Sequence, residues 1–145
     1  MRNALVFNTS RVLAWGAVML SCMGFSQERQ HVPYGNYPEA GHYVQAGDAR
    51  LYYEVYGKGE PIVLLHGGIM GYIDEMAGFI EKLKPDYQVI AMATRGHGKS
   101  EIGSAPITYE LKANDVMAMV NAVTKEKFTI LGFSDGAYTS YKVGG

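Results

Sequence analysis

Three short runs of apolar residues interrupt an otherwise mixed pattern, at positions 62–65, 89–93 and 128–131. Apolar side chains without polar alternation suit a parallel strand covered by helices on both faces, so each run predicts an internal strand. Between the first two, Ile73, Met76, Phe79, Ile80 and Leu83 recur at three and four residues, which predicts one helix over 73–83 ended by Pro85. A second stripe, Ala113, Val116, Met117 and Val120, predicts a helix that starts at a Thr108 cap and runs to about position 123. Upstream, Tyr43 and Val44 and the alternating Leu51, Tyr53 and Val55 flank a Gly47-Asp48 turn, the pattern of an antiparallel hairpin. The expected fold class is therefore α/β, a mostly parallel sheet with an N-terminal antiparallel hairpin and right-handed crossovers.

Two N-terminal segments stand apart from this pattern. Arg2 and Arg11 precede an apolar stretch over 12–23, shorter than the ~20 residues a bilayer-spanning helix needs, and Gly24 and Ser26 form a small-x-small site before Gln27. Residues 1–26 thus read as a signal peptide, and the mature protein is expected to be exported to the periplasm or outside the cell. Membrane association is expected only if that segment is retained or if Cys22 is lipidated. Residues 27–40 are polar and broken by Pro33, Gly35 and Pro38, which predicts an extended arm rather than a packed element. The domain proper is placed at 41–145.

Composition narrows the function. Thirteen Lys and Arg stand against fourteen Asp and Glu, with no run of like charge, so nucleic acid is not an expected partner. Cys22 is the only cysteine, so the mature chain has no disulfide and no thiolate ligand, and no cluster of ligands at a usable spacing implies a metal or cofactor.

The chemistry concentrates at the third apolar run. Gly132-Phe133-Ser134-Asp135-Gly136 fits G-x-S-x-G, directly after a predicted strand and before a predicted helix. A sharp turn there strains the serine backbone, the small Gly132 and Gly136 let strand and helix approach, and the hydroxyl is held at the C-terminal end of the sheet, where ligands bind in open α/β folds. At the end of the first run, His66-Gly67-Gly68 supplies a loop with a bare backbone. The N–H groups of Gly68 and Asp135 would then form an oxyanion hole beside the positive end of a helix, each donor worth about 3 to 4 kcal/mol. His66 reads as a residue that fixes this loop, because a base must reach the serine from the far side of the site. Gly98-Lys99-Ser100 resembles the end of a phosphate-binding loop. The pattern fails, since Ala93 stands where glycine is required and Gly103 and Pro106 follow where a helix should begin.

Taken in order, LLHGG at 64–68, RGHGKS at 95–100 and GFSDGA at 132–137 resemble the α/β-hydrolase superfamily of serine hydrolases, over residues 41–145. The resemblance implies an α/β-hydrolase fold truncated after the nucleophile elbow. It makes Ser134 the nucleophile that forms an acyl-enzyme with a small-molecule carboxylic ester, lactone or amide-type substrate. It also makes 95–100 a structural loop near the pocket, one expected to be loosely anchored because Ala93 replaces the family's aspartate. In this family the acid and the histidine of the triad follow the serine. Here His31, His42, His66 and His97 all precede it and eleven residues follow it, so the chain is expected to be a nearly inactive N-terminal part of a hydrolase, with a non-catalytic interaction module as the runner-up. The strand at 128–131 would then lie at a sheet edge and promote self-association. Met70, Tyr72 and Met76 are expected to pack in the core rather than line a pocket.

Overall fold

The computed structural model describes residues 32–144; the signal segment and the first part of the expected arm, 27–31, lie outside the described residues. In chain order the elements are β1 (Gly41–Ala46), β2 (Ala49–Tyr56), β3 (Pro61–Leu65), a 3-10 turn (Ile73–Met76), α1 (Ala77–Leu83), β4 (Gln88–Met92), α2 (Tyr109–Val123), β5 (Thr129–Gly132) and α3 (Asp135–Gly144). The five strands form one mixed sheet in the order β1-β2-β4-β3-β5. The apolar runs became β3, β4 and β5, mutually parallel with Val63 level with both Ile90 and Ile130, while β1, β2 and β4 pair antiparallel.

The register explains why those runs carry no polar alternation. Ile62 and Leu64 point to one face, where Ile73, Met76 and Ile80 cover them; Val63 and Leu65 point to the other, under Val116, Met119 and Val120 of α2. Each such side chain, fully buried, contributes about 1.5 to 3 kcal/mol. The Thr108 hydroxyl caps α2 by accepting the Leu111 N–H at 3.1 Å. The buried stripe of α2 contains Met119 where the periodicity suggested Met117. The single helix expected over 73–83 is a 3-10 turn followed by the short α1, and Phe79 is exposed.

The expectation of an extended arm is corrected: residues 32–40 fold into turns and pack, and the compact unit begins at Val32. Tyr34 and Ala40 are buried in the same core as Tyr52 and Tyr56. The anchor is Glu54 of β2, fully buried, whose carboxyl oxygens accept bonds from the Gly35 and Tyr37 N–H groups at 2.7 and 2.9 Å and from the Tyr52 and Tyr56 hydroxyls, both at 2.7 Å. Burying a carboxylate is costly unless such donors surround it, and the arm supplies two of the four. Proline and glycine breaks exclude a helix or strand, but not packing.

Candidate active site

Ser134 sits between the last residue of β5 and the first turn of α3, with φ of 51°, the one positive φ at a non-glycine among the described residues. That left-handed conformation costs an L-residue roughly 1 to 2 kcal/mol. Three bonds hold it: the Phe133 N–H reaches Leu65 O at 3.0 Å, and the Gly136 and Ala137 N–H groups close the turn onto Phe133 O and Ser134 O, both at 2.9 Å. The close crossing of strand and helix requires glycines. A Cβ on Gly132 would lie 2.2 Å from Gly136 O, and one on Gly136 would lie 2.5 Å from Leu65 O. The serine is exposed, and its hydroxyl has no hydrogen-bond partner among the described residues.

The loop after β3 faces this turn and is held peptide by peptide. The Thr94 N–H donates to His66 Nε2 at 3.0 Å, so the proton of the buried imidazole resides on Nδ1, which donates to Gly67 O at 2.6 Å. In a planar trans peptide the N–H lies opposite the carbonyl, so fixing Gly67 O also fixes the direction of the Gly68 N–H. Glu75 Oε2 accepts the Gly67 N–H at 2.6 Å, and His97 Nε2 lies 2.5 Å from Gly68 O. Burial pushes the His66 imidazole below its ordinary pKa against the opposing pull of its Gly67 bond, which favours the neutral ring. Both histidines near the site are turned to main-chain partners rather than to Ser134.

Loop and elbow touch directly. A Cβ on Gly68 would lie 2.8 Å from the Cβ of Asp135. Neither the Gly68 nor the Asp135 N–H has a partner among the described residues. Asp135 itself is bound through Oδ2 to Lys112 Nζ of α2 at 2.6 Å. A cleft of about 530 Å³ opens here, with Gly67, Gly68, Ile69, Met70 and the carboxylates of Asp74 and Glu75 on one side and Phe133 and Ser134 on the other. Ile69 and Met70 are 95 % and 91 % exposed, so Met70 lines the cleft, whereas Met76 is core and Tyr72 packs against the core. Among the described residues, no group of three or more His, Cys, Asp or Glu is placed to hold a metal ion.

The loop at 95–100 is firmly anchored, correcting the looser attachment expected from Ala93. Arg95 is buried and donates to both carboxyl oxygens of Asp115, at 2.6 and 2.9 Å, to Asp48 at 2.6 Å and to Ala46 O at 2.7 Å. Ser100 Oγ donates to Ala93 O at 2.6 Å and accepts the Tyr52 N–H at 2.8 Å. Here the fully extended bonding of a guanidinium does the anchoring.

A strained serine at a strand-to-helix turn, opposite a glycine loop, is a recurrent architecture, and a sequence model of the alpha/beta hydrolase fold matches residues 60–142. The chain belongs to the α/β-hydrolase family. Among its curated relatives, a 2-hydroxy-6-oxo-6-(2'-aminophenyl)hexa-2,4-dienoic acid hydrolase of Metapseudomonas resinovorans is 32% identical over 104 residues, covering 70% of this chain and 36% of that protein. The soluble epoxide hydrolase of Corynebacterium sp. (strain C12) is 29% identical over 100 residues, covering 69% of this chain and 35% of the other. The solved structure of the esterase EaEST from Exiguobacterium antarcticum superposes with a TM-score of 0.66 at 30% identity, over 71% of this chain and 39% of its own. The chain thus spans little more than a third of the length of the curated relatives it matches. Their names cover several hydrolytic reactions, as one fold commonly does.

The sequence reading missed Glu75, Thr94, His97 and Lys112, whose side chains or amides bond the loop at 66–68 or Asp135. His97 was within reach of inspection, since it lies in the RGHGKS motif, but its partner is 29 positions away. Lys112 carries no local signal; only the packing of α2 beside α3 brings it to Asp135.

Proposed function

We propose that Ser134 is the nucleophile of a serine hydrolase acting on a small-molecule carboxylic ester, lactone or amide-type bond. The observation that carries this reading is the exposed serine at φ 51° on the cleft floor, facing a loop whose Gly68 N–H is held without a partner. In this chemistry the serine oxygen adds to the carbonyl carbon, the carbonyl electrons move to oxygen, and the resulting oxyanion is received by the Gly68 and Asp135 N–H groups at the positive end of α3. Collapse expels the leaving group, which takes up through solvent the proton lost by the serine, and leaves an acyl-enzyme at Ser134 that water then cleaves to the acid and the free serine. Gly67, Gly132 and Gly136 shape the site, and His66 fixes the loop rather than acting as the base.

No histidine follows Ser134 in the sequence, and His66 and His97 are engaged with the main chain. Without a base, serine attack is slow, so turnover by this chain alone is expected to be feeble. Stoichiometric labelling is the suitable test: an aryl phosphonate should modify Ser134, located by peptide mass, and Ser134→Ala should abolish the label. A wild-type chain that is folded yet unlabelled at Ser134 refutes the reading.

A second reading, a non-catalytic interaction module, has its own support in the outer edge of β5, which pairs with no strand among the described residues, and in Tyr138 and Tyr141 of α3, both exposed. It predicts concentration-dependent self-association in sedimentation; a monodisperse monomer across the accessible range counts against it. Export is proposed on the Arg2, Arg11 and 12–23 pattern alone, and a secreted product whose N-terminus is not Gln27 would contradict cleavage after Ser26.

A further inference from the structure

The elbow carries an acidic residue where a negative charge is harmful. Asp135 contributes its N–H to the proposed oxyanion site, yet its carboxylate packs on the backbone of Gly68, the other donor: a Cβ on Gly68 would lie 3.0 Å from its Cγ and 3.4 Å from its Oδ2. The charged residues lining the cleft, Asp74 and Glu75, are acidic as well. An uncompensated carboxylate beside the developing oxyanion would oppose it through a poorly screened medium. Lys112 meets that carboxylate at 2.6 Å, with the two side chains only 12% and 19% exposed, and it is the cation paired to an elbow residue among the described ion pairs.

We infer that Lys112 is a positioning residue that neutralises Asp135, so that negative charge can develop between the Gly68 and Asp135 N–H groups. This rests on the reading of Ser134 as nucleophile. Lys112 approaches from α2, pairs with Asp135 Oδ2 and is not among the residues that line the cleft, so its effect on the oxyanion passes through Asp135. The competing account is mechanical, with the ion pair only pinning α2 to α3. The two accounts differ in sign. If the pair is a clamp, breaking it from either end slows reaction at Ser134. If it is a neutraliser, removing the cation slows reaction while removing the carboxylate, which leaves an ammonium near the oxyanion, accelerates it.

The experiment measures the second-order rate of Ser134 modification by an uncharged p-nitrophenyl phosphonate, in which the serine oxygen forms a bond to phosphorus, p-nitrophenolate departs and the serine proton passes to solvent. The full chain is compared with Lys112→Met, Lys112→Arg, Asp135→Asn and the Lys112→Met/Asp135→Asn double variant, with thermal melts alongside. Expected are about a tenfold loss for Lys112→Met, recovery of most of that loss in Lys112→Arg, a double variant clearly faster than Lys112→Met, and a rate above wild type for Asp135→Asn. Loss in both single variants without recovery in the double overturns the inference and leaves the nucleophile in place. No label in folded wild type overturns both. Should Lys112→Met not fold, Asp135→Asn decides alone: faster than wild type supports neutralisation, equal or slower refutes it.

Discussion

The two flanks of the sheet treat their polar groups in opposite ways. On the β2 flank everything is satisfied: Glu54 receives four donors and Arg95 is surrounded by Asp48, Asp115 and Ala46 O, and no buried side-chain nitrogen or oxygen among the described residues lacks a partner. On the β5 flank the Gly68 and Asp135 N–H groups and the Ser134 hydroxyl are left open, the serine backbone is strained, and Ile69, Met70 and Phe133 face outward. Exposed groups without protein partners are free to meet water or a ligand, and they stay in place only if the remainder of the fold is rigid. The saturated flank holds the framework, and the open flank is where the proposed chemistry would take place.

Substitutions can break this contrast from either side. The largest effect is expected at the crossing of β5 and α3. A methyl on Gly132 meets Gly136 O and one on Gly136 meets Leu65 O, both main-chain atoms that cannot rotate away. Gly132→Ala and Gly136→Ala should each cost about 3 kcal/mol in denaturant unfolding, because strand and helix must separate. Values under about 1 kcal/mol would mean that the elbow is looser than its geometry. Next comes the saturated flank. Glu54→Ala strands the Gly35 and Tyr37 N–H groups and two tyrosine hydroxyls, and should cost about 3 kcal/mol and loosen residues 32–40 in hydrogen exchange. Ser134 labelling per folded molecule should change little, since none of the Glu54 hydrogen bonds reaches the Gly68 loop or the elbow.

A smaller effect follows from His66. Its folded pKa is depressed by burial, so below the ordinary imidazole value of about 6.5 the unfolded chain takes up a proton that the folded chain resists. Unfolding then binds more protons, and stability rises with pH through that window. This contribution is complete above about pH 6.5 and is lost as pH falls from there toward the depressed folded value. The checks are an unfolding free energy that declines on acidification below 6.5 and a His66 ring signal that does not titrate at its usual position. A ring titrating normally would place His66 outside the Thr94 and Gly67 bonds.

The contrast also explains what was legible in the sequence. The hairpin, the three internal strands, the Thr108 cap and the elbow are written in local patterns, and each appears within a residue or two of its expected place. The packing of residues 32–40 was not legible, because its cause, Glu54, lies 17 and 19 positions from the amides it accepts. The firm anchoring of 95–100 was hidden for the same reason, since Arg95 finds Asp115 and Asp48 at separations of 20 and 47. Periodicity also fused the 3-10 turn and α1 into one helix, because Ile73, Met76 and Ile80 keep helical spacing across the junction. At the site, motifs give the positions of serine and glycine, while the side chains that aim them come from elsewhere in the chain.

The smallest effect has the opposite sign and isolates the strain itself. If the left-handed turn at 134 is imposed by the surrounding structure, a residue without a Cβ should relieve it. Ser134→Gly removes a cost of roughly 1 to 2 kcal/mol but adds backbone freedom to the unfolded chain worth up to about 1 kcal/mol, so a net gain of under about 1 kcal/mol is expected. Ser134→Ala keeps the Cβ and the strain. It should therefore be less stable than Ser134→Gly by that same margin of under about 1 kcal/mol, although both lose the hydroxyl alike. The difference between these two variants, read from denaturant midpoints, removes the hydroxyl from the comparison. If alanine proves the more stable, the turn relaxes without its serine, and the backbone at 134 is not held against its preference by Gly132, Gly136 and the β3 carbonyls.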